Sequence, residues 1–438
     1  MRRSHVRVAF VSTCPPRQCG IATFTDDLRT AMAEAAPDIE TLLCAVDNEG
    51  LDYRDRAAFV IGQHDIADYA AAAEHLARNG VDAVVIQHEY GIFGGPDGSW
   101  ITTFARRLSE LGVPYLVTLH TVLSRPTPGQ AATLARLCRG AAAVTVFTST
   151  ARTLAVTAGL AGADRMFVVP HGAPTVLRED WDRPHTPAAR PRRSELRTEG
   201  LRPAVADVLA ENPGARIVST FGLVSPGKGL EVAIEAVAAL VGDYPDLTYV
   251  IAGATHPEIV RECGEDYRDG LTDLVADLGI RSNVRFLDFF LTDAEIAGLL
   301  AATEVFLTPY HSKEQSSSGA LTFALAAGCP AVSTSYRYAR DMLCGGAGIV
   351  VEPGDSAAFA VALGTLMAAP DRLNAARATA HRVGAALRWP AVAGRFATVV
   401  RHVAGGRPPT AVGEQVRRGF PGVVRARSAP LGATVPTL

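Results

Sequence analysis

Two lysines are the first residues in this chain whose type and position could do chemistry. The sequence holds 42 Lys and Arg residues, and only Lys228 and Lys313 are lysine. Both fall in Gly/Ser/Pro-rich loops that should follow strands. A compact ammonium serves as a point charge against phosphate where a guanidinium fork does not fit. Lys228 lies near the end of the loop Gly222-Leu223-Val224-Ser225-Pro226-Gly227-Lys228-Gly229, which opens a helix. Lys313 stands with Glu314 and Gln315 at the mouth of Ser316-Ser317-Ser318-Gly319, which opens an Ala/Leu-rich helix ended by Gly328 and Pro330. Such a loop, just past the carboxyl end of a strand, points free N–H groups and the positive end of a helix dipole at an anion. The plain alternative is two solvated surface lysines.

The remaining polar loops lie in the first half. Pro15 to Gly20 opens a helix and would let a ligand approach the backbone at Gly20, or is simply a tight turn. His88-Glu89-Tyr90-Gly91 follows a buried strand, as does His120-Thr121. A lone histidine is more often structural, but at the carboxyl end of a strand it faces the ligand side of an α/β sheet. The loop at Lys228 is not a P-loop, because Gly229 stands where GxxxxGK[ST] needs a hydroxyl. No GxGxxG follows the first strand, which argues against a dinucleotide site.

Short apolar strands alternating with amphipathic helices position these loops. Strands are expected at Val6–Ser12, Thr41–Val46, Ala83–Gln87, Tyr115–Leu119, Ala143–Phe147 and Phe167–Val169. A second series is expected at Arg216–Phe221, Thr248–Ala252, Val284–Leu287, Val305–Leu307, Ala331–Ser333 and Gly348–Val351. This pattern predicts parallel sheets covered on both faces. Residues 1–173 form one domain and residues 174–203, rich in Pro and Arg, a linker with a short helix near Ser194–Glu199. Residues 204–389 form a second domain, 390–403 a last amphipathic helix, and 404–438 a tail without apolar period. The fold expected is two doubly wound α/β domains facing a central cleft.

Composition narrows the class. A chain of 438 residues with 48% hydrophobic and 20% charged content suits two soluble globular domains. Net charge is −3, with no basic footprint for nucleic acid. Seven scattered cysteines without a CxxC pair point to free thiols in a reduced compartment and away from zinc. The apolar run Val8–Val11 is too short for a signal peptide and no stretch spans a membrane, so a cytoplasmic protein is expected. Peripheral membrane contact through an amphipathic face remains compatible with this composition.

Taken together, the loops resemble the retaining glycosyltransferases of family 4, with the GT-B fold of two Rossmann-like domains. FGLVSPGKGLEVAIEAV resembles that family's first C-domain loop and helix. EQSSSGALTFALAAGCPAVST resembles its Glu-x7-Glu segment, CPPRQCGIATF its N-terminal Gly-Gly loop, TLHT its active-site histidine loop, and WPAVAGRF its closing helix. The resemblance implies a retaining, metal-independent hexosyltransferase without cofactor. It would move mannose or glucose from a nucleotide-diphosphate sugar to a glycan or lipid-linked acceptor. His120, Lys228 and Glu314 would be catalytic. Gly20, Gly222, Lys228, Lys313, Gln315, Ser316, Ser318 and Gly319 would bind donor, with His88 and Glu89 on the acceptor side. Three positions depart from the family: Leu223 replaces an arginine, and Gln315 and Phe323 replace the two glutamates. A GT-B protein that binds sugar or nucleotide without transfer, or serves as a partner subunit, is the alternative.

Overall fold

The computed structural model describes residues 5–178, 199–210 and 215–405. The first half runs β1 (Val6–Ser12), α1 (Gly20–Ala35), β2 (Ile39–Asp47), β3 (Phe59–Gly62), α2 (Ile66–Arg78), β4 (Ala83–His88), α3 (Ile101–Glu110), β5 (Tyr115–Leu119), α4 (Pro128–Gly140), β6 (Ala143–Val146), α5 (Ser149–Thr157) and β7 (Met166–Val168). The second half begins with α6 (Pro203–Ala210), β8 (Arg216–Phe221), α7 (Leu230–Leu240), β9 (Leu247–Ala252), α8 (Pro257–Cys263), α9 (Asp266–Asp277), β10 (Val284–Leu287) and α10 (Asp293–Ala302). It ends with β11 (Thr303–Thr308), α11 (Gly319–Ala326), β12 (Ala331–Thr334), α12 (Arg337–Leu343), β13 (Gly348–Val351), α13 (Ser356–Ala368), α14 (Pro370–Ala385) and α15 (Trp389–Gly405).

The strands build two parallel sheets, in the orders β3-β2-β1-β4-β5-β6-β7 and β10-β9-β8-β11-β12-β13. Strand alternation sorts their side chains. Val8 and Phe10 of β1 join the core beneath α1 and α15, while Ala9 and Val11 join the core beneath α2 and α3. In the second sheet Phe221 and Phe306 face the first of these cores, which runs through both domains; Val218, Val305 and Leu307 face a third. In each sheet the strand order reverses once, between β1 and β4 and between β8 and β11. Ligands of such sheets sit beyond the strand ends at that switch.

The domains are fastened by the chain's return. The α15 helix packs on α1 of the first domain. Arg401 pairs with Asp38 in a fork of 2.8 and 2.5 Å. Trp389 Nε1 donates to Asp27 at 3.2 Å, and its ring lies 2.1 Å from where a Cβ on Gly172 would stand, so only glycine fits there.

Strand positions agree with the sequence reading to within a residue or two, and β3, α6, α8, α12 and α14 are additions. The α14 helix carries Arg and Asn among alanines, which blurs its apolar stripe. Gly264, at φ 65°, separates α8 from α9. The expected helix near Ser194–Glu199 lies outside the described residues apart from Glu199, as does the tail beyond 405. All seven cysteines are free thiols, and no described helix is long and apolar enough to cross a membrane.

Candidate active site

The β8–α7 and β11–α11 loops emerge side by side at the second sheet's switch point. His311 N donates to Gly227 O at 3.2 Å. Gly229 sits at φ 60°, where a Cβ would lie 2.3 Å from Pro309 O. That close approach explains why glycine, not a hydroxyl residue, follows Lys228. The Lys228 ammonium rests 4.2 Å from the centroid of the Tyr310 ring, which stacks on Tyr336 at 5.1 Å. Gly222, at φ 119°, begins the same loop.

The two helix N-termini at this point differ. Leu230 N of α7 donates to Tyr267 Oη at 3.2 Å, and Glu231 stands in its first turn, paired with His311 at 2.6 Å. That end has its first N–H taken and bears a carboxylate, which disfavours an anion. In α11 the first turn holds no acid, and Ser318 Oγ accepts only from Leu321 N at 3.2 Å. Helix geometry leaves the N–H groups of Gly319 and Ala320 without partners inside the helix. Of the two starts, that of α11 is therefore the more open to an anion. The helix ends as expected: Gly328, at φ 71°, and Cys329 return N–H groups to Leu325 O and Ala324 O, a Schellman motif.

The loop before α11 docks on the first domain. Ser316 Oγ accepts from Val122 N at 3.1 Å, and Ser317 Oγ donates to His120 O at 3.4 Å. Glu314 accepts from Ser124 N and Oγ at 2.7 and 2.8 Å and from Arg337 at 2.6 Å. Its carboxylate thus fastens one domain to the other, and these bonds keep it ionised below the usual range against the cost of burial. Gln315 contributes its carbonyl to Tyr338 N at 3.2 Å. Lys313 pairs with Glu352 at 2.5 Å, with both side chains exposed.

Across this contact, the first domain presents histidines in apolar surroundings. His120, 6% exposed, donates from Nε2 to Gln87 Oε1 at 2.9 Å and lies edge-on to Phe24 and Phe147. Burial and the neighbouring histidines lower its pKa to about 3. His88 is fully buried beside Tyr90 and Phe93, with neither ring nitrogen partnered, and burial lowers its pKa to about 4. Glu89 caps the turn at Tyr90 and accepts from Thr121 Oγ1 at 2.5 Å; burial raises its pKa. Gly20 is the exposed first residue of α1, behind an N-cap made by Cys19 Sγ.

One residue that sequence reasoning missed stands between these halves. His171 follows β7 and donates from Nδ1 to Gly172 O at 2.7 Å, which leaves Nε2 as a lone pair. Its ring packs on Phe24 and Trp389 and reaches Phe323 at 6.4 Å. Its Cε1 and Nε2 lie 3.4 Å from the Cβ position of Gly319, at the free end of α11. Burial lowers its pKa to about 4, so it is neutral near pH 7. The available signal was Pro170-His171-Gly172, a histidine just past a strand end, the criterion already applied to His120. Phe323 closes this wall against Phe221 at 5.9 Å. Among the described residues no group of three or more His, Cys, Asp or Glu could hold a metal ion.

Two parallel Rossmann-like sheets, with a lysine and a free helix end on one side of their contact and histidines on the other, define the GT-B architecture. Comparison with solved structures agrees. The protein superposes on Anabaena Alr3699/HepE in complex with UDP at TM-score 0.67, with 18% identity over 90% of this chain and 99% of that one. It superposes on sucrose-phosphate synthase of Thermosynechococcus elongatus at TM-score 0.70, with 15% identity over 92% and 100%. At the level of sequence, residues 202–383 match the family described as Glycosyl transferases group 1. Curated relatives include D-inositol 3-phosphate glycosyltransferases. That of Thermobispora bispora is 30% identical over 193 residues, 42% of each chain. That of Nocardia farcinica is 31% identical over 195 residues, 42% of this chain and 40% of the relative. These matches span less than half the length of the relatives.

Proposed function

We propose that the protein is a retaining, metal-independent glycosyltransferase. It moves a hexose, mannose or glucose, from a nucleoside-diphosphate sugar to a glycan or lipid-linked acceptor. The observation that carries this reading is that the Lys228 loop and the loop opening α11 are joined by His311 N and Gly227 O, with the start of α11 facing His171. A diphosphate leaving group gathers negative charge as the glycosidic bond breaks. A fixed ammonium and two aimed N–H groups stabilise that charge with little reorganisation. Neutral histidines and phenylalanine rings on the facing side keep water from the reacting carbon and offer lone pairs to sugar hydroxyls. Both carboxylates bordering the cleft, Glu89 and Glu314, are engaged by hydrogen-bond donors, so neither is free to act as a nucleophile. This favours transfer on the face the diphosphate leaves, with the departing phosphate taking the acceptor's proton. The group 1 match of the second domain and neighbours crystallised with UDP or UDP-glucose support a nucleotide sugar as donor.

Phe323 favours one second reading. A phenyl ring cannot accept from ribose hydroxyls, and a protein that holds nucleotide sugar without transferring it would tolerate that loss. The test is release of nucleoside diphosphate from a panel of UDP-, GDP- and ADP-hexoses, with and without oligosaccharide acceptors. Transfer by the wild type that collapses in Lys228→Ala supports the enzyme. Binding with no turnover under any condition supports the second reading.

A further inference from the structure

The contacts between the domains fall into two groups. In the first, the chain itself crosses. Ala173 N donates to Leu387 O at 2.8 Å and Trp389 N to Ala173 O at 3.0 Å, so the outgoing and returning crossings are bonded to each other. The second group sets side chains of the second domain on the backbone of the first. Glu314 takes Ser124 N and Oγ, and Ser316 Oγ takes Val122 N. Arg337, paired with Glu314, donates from Nη1 to Val122 O at 2.7 Å. Asp341, near the end of α12, accepts from Thr150 Oγ1 at 2.6 Å and from Thr150 N at 3.2 Å. Thr150 stands in the first turn of α5, whose N-cap Thr148 accepts from Ala151 N. The Asp341 carboxylate thus meets a first-turn N–H and the positive end of a helix dipole belonging to the other domain.

We infer that this second group is an autoinhibitory clasp: Asp341 on Thr150 and Glu314 on Ser124 hold His171 against the start of α11, and they release before a nucleotide donor enters. This rests on the donor reading proposed above and adds a control on access to it. The His171 ring lies 3.4 Å from the Cβ position of Gly319, which is ordinary van der Waals contact. A phosphate oxygen accepting from Gly319 N or Ala320 N would stand about 2.9 Å away, with phosphorus and hexose beyond it. The two faces cannot keep their present separation with a donor between them. Ser316 and Ser317 directly precede the N-cap Ser318, so their bonds to Val122 and His120 lie beside that contact. Clasp and donor therefore compete. A ligand that enters only the parted form binds more weakly by the fraction of molecules parted. Ser124 and Thr150 are exposed, so their bonds break without disturbing either core.

The test is stopped-flow binding of GDP, UDP and ADP to the wild type, Asp341→Ala and Thr150→Val, with melting temperatures followed in parallel. Neither residue touches Lys228 or the start of α11, and Thr150→Val keeps the side-chain shape while removing the hydroxyl. For whichever nucleotide binds best, each variant should associate about three- to tenfold faster than the wild type, with dissociation little changed. A merely structural contact would leave association unchanged or slow it. Binding by Asp341→Ala of a nucleotide that the wild type does not bind would also support the clasp. Should the wild type bind and neither variant associate faster, the clasp is overturned while the donor reading stands. Should none of the three nucleotides bind any of the proteins, both fall.

Discussion

The two faces of the cleft solve opposite problems. On the second domain, the loops after β8 and β11 offer charge and unpaired backbone donors: Lys228, Gly319 and Ala320, set by glycines with no room for a side chain. On the first domain, the loops after β4, β5 and β7 offer neutral imidazoles among phenyl and indole rings. The first arrangement suits a group that is anionic before and after reaction. The second suits a group that must be read by its hydroxyls and kept dry. A site is therefore defined here less by any one residue than by the contrast across Ser316, Ser317 and Glu314, which join the faces.

The largest expected effect comes from erasing the charge on one face. Lys228→Ala should lower transfer by about 10²- to 10³-fold, as for loss of a donor to a developing anion. Steady-state kinetics on the nucleotide sugar that turns over fastest in the panel would show it, with melting temperature unchanged because the ammonium rests on the Tyr310 ring. Gly229→Ala comes next. It forces a Cβ to within 2.3 Å of Pro309 O at positive φ, so about 1–3 kcal/mol of stability should be lost. Chemical denaturation measures that loss.

On the other face, His171→Phe keeps the ring packing and removes the Nε2 lone pair. We expect nucleotide-sugar affinity to fall about tenfold while the bare nucleoside diphosphate binds as before, which places the lost contact on the hexose. Equal weakening of both ligands would put His171 on the diphosphate instead. Within the first domain, buried groups also separate by pH. His88 and His120 have folded pKa values of about 4 and 3, against about 6.5 unfolded. The unfolded chain takes protons first, so stability is full above about pH 6.5 and falls as pH drops toward 4. Asp27 works the other way. Burial, with Asp293 nearby, raises its pKa to about 7, so its contribution is full at low pH and fades as pH rises through 7. Asp27→Asn should therefore steepen the acid-side fall in melting temperature between pH 7 and 5. The smallest effect belongs to the fastening between faces. Glu314→Gln keeps the acceptor for Ser124 and weakens a half-exposed ion pair, so it should cost less than about 1 kcal/mol. A collapse of transfer without loss of stability would restore Glu314 to the catalytic role its sequence context suggests.

Much of the second domain was legible in the sequence. Buried parallel strands leave continuous apolar runs such as Val305-Phe306-Leu307, and Gly328 and Pro330 mark where α11 must stop. The loops at Lys228 and Ser318 were legible for the same local reason. What the residues around a helix start do not reveal is which start has its first N–H taken. Tyr267 lies 37 positions from Leu230 and Glu352 lies 39 from Lys313, so one occupied helix end and one paired lysine emerge only in the fold. His171 was missed because its meaning depends on Gly319 and Phe24, which are distant in the chain.

The measurement that tests the central claim most directly is a calorimetric titration of wild type and Lys228→Ala with one nucleoside diphosphate, chosen as the best binder among GDP, UDP and ADP. The account predicts saturable binding to the wild type, weakened by at least about 100-fold in Lys228→Ala, with both proteins melting alike. Equal affinity in the two proteins would contradict it, because the diphosphate would then lie away from Lys228 and the start of α11.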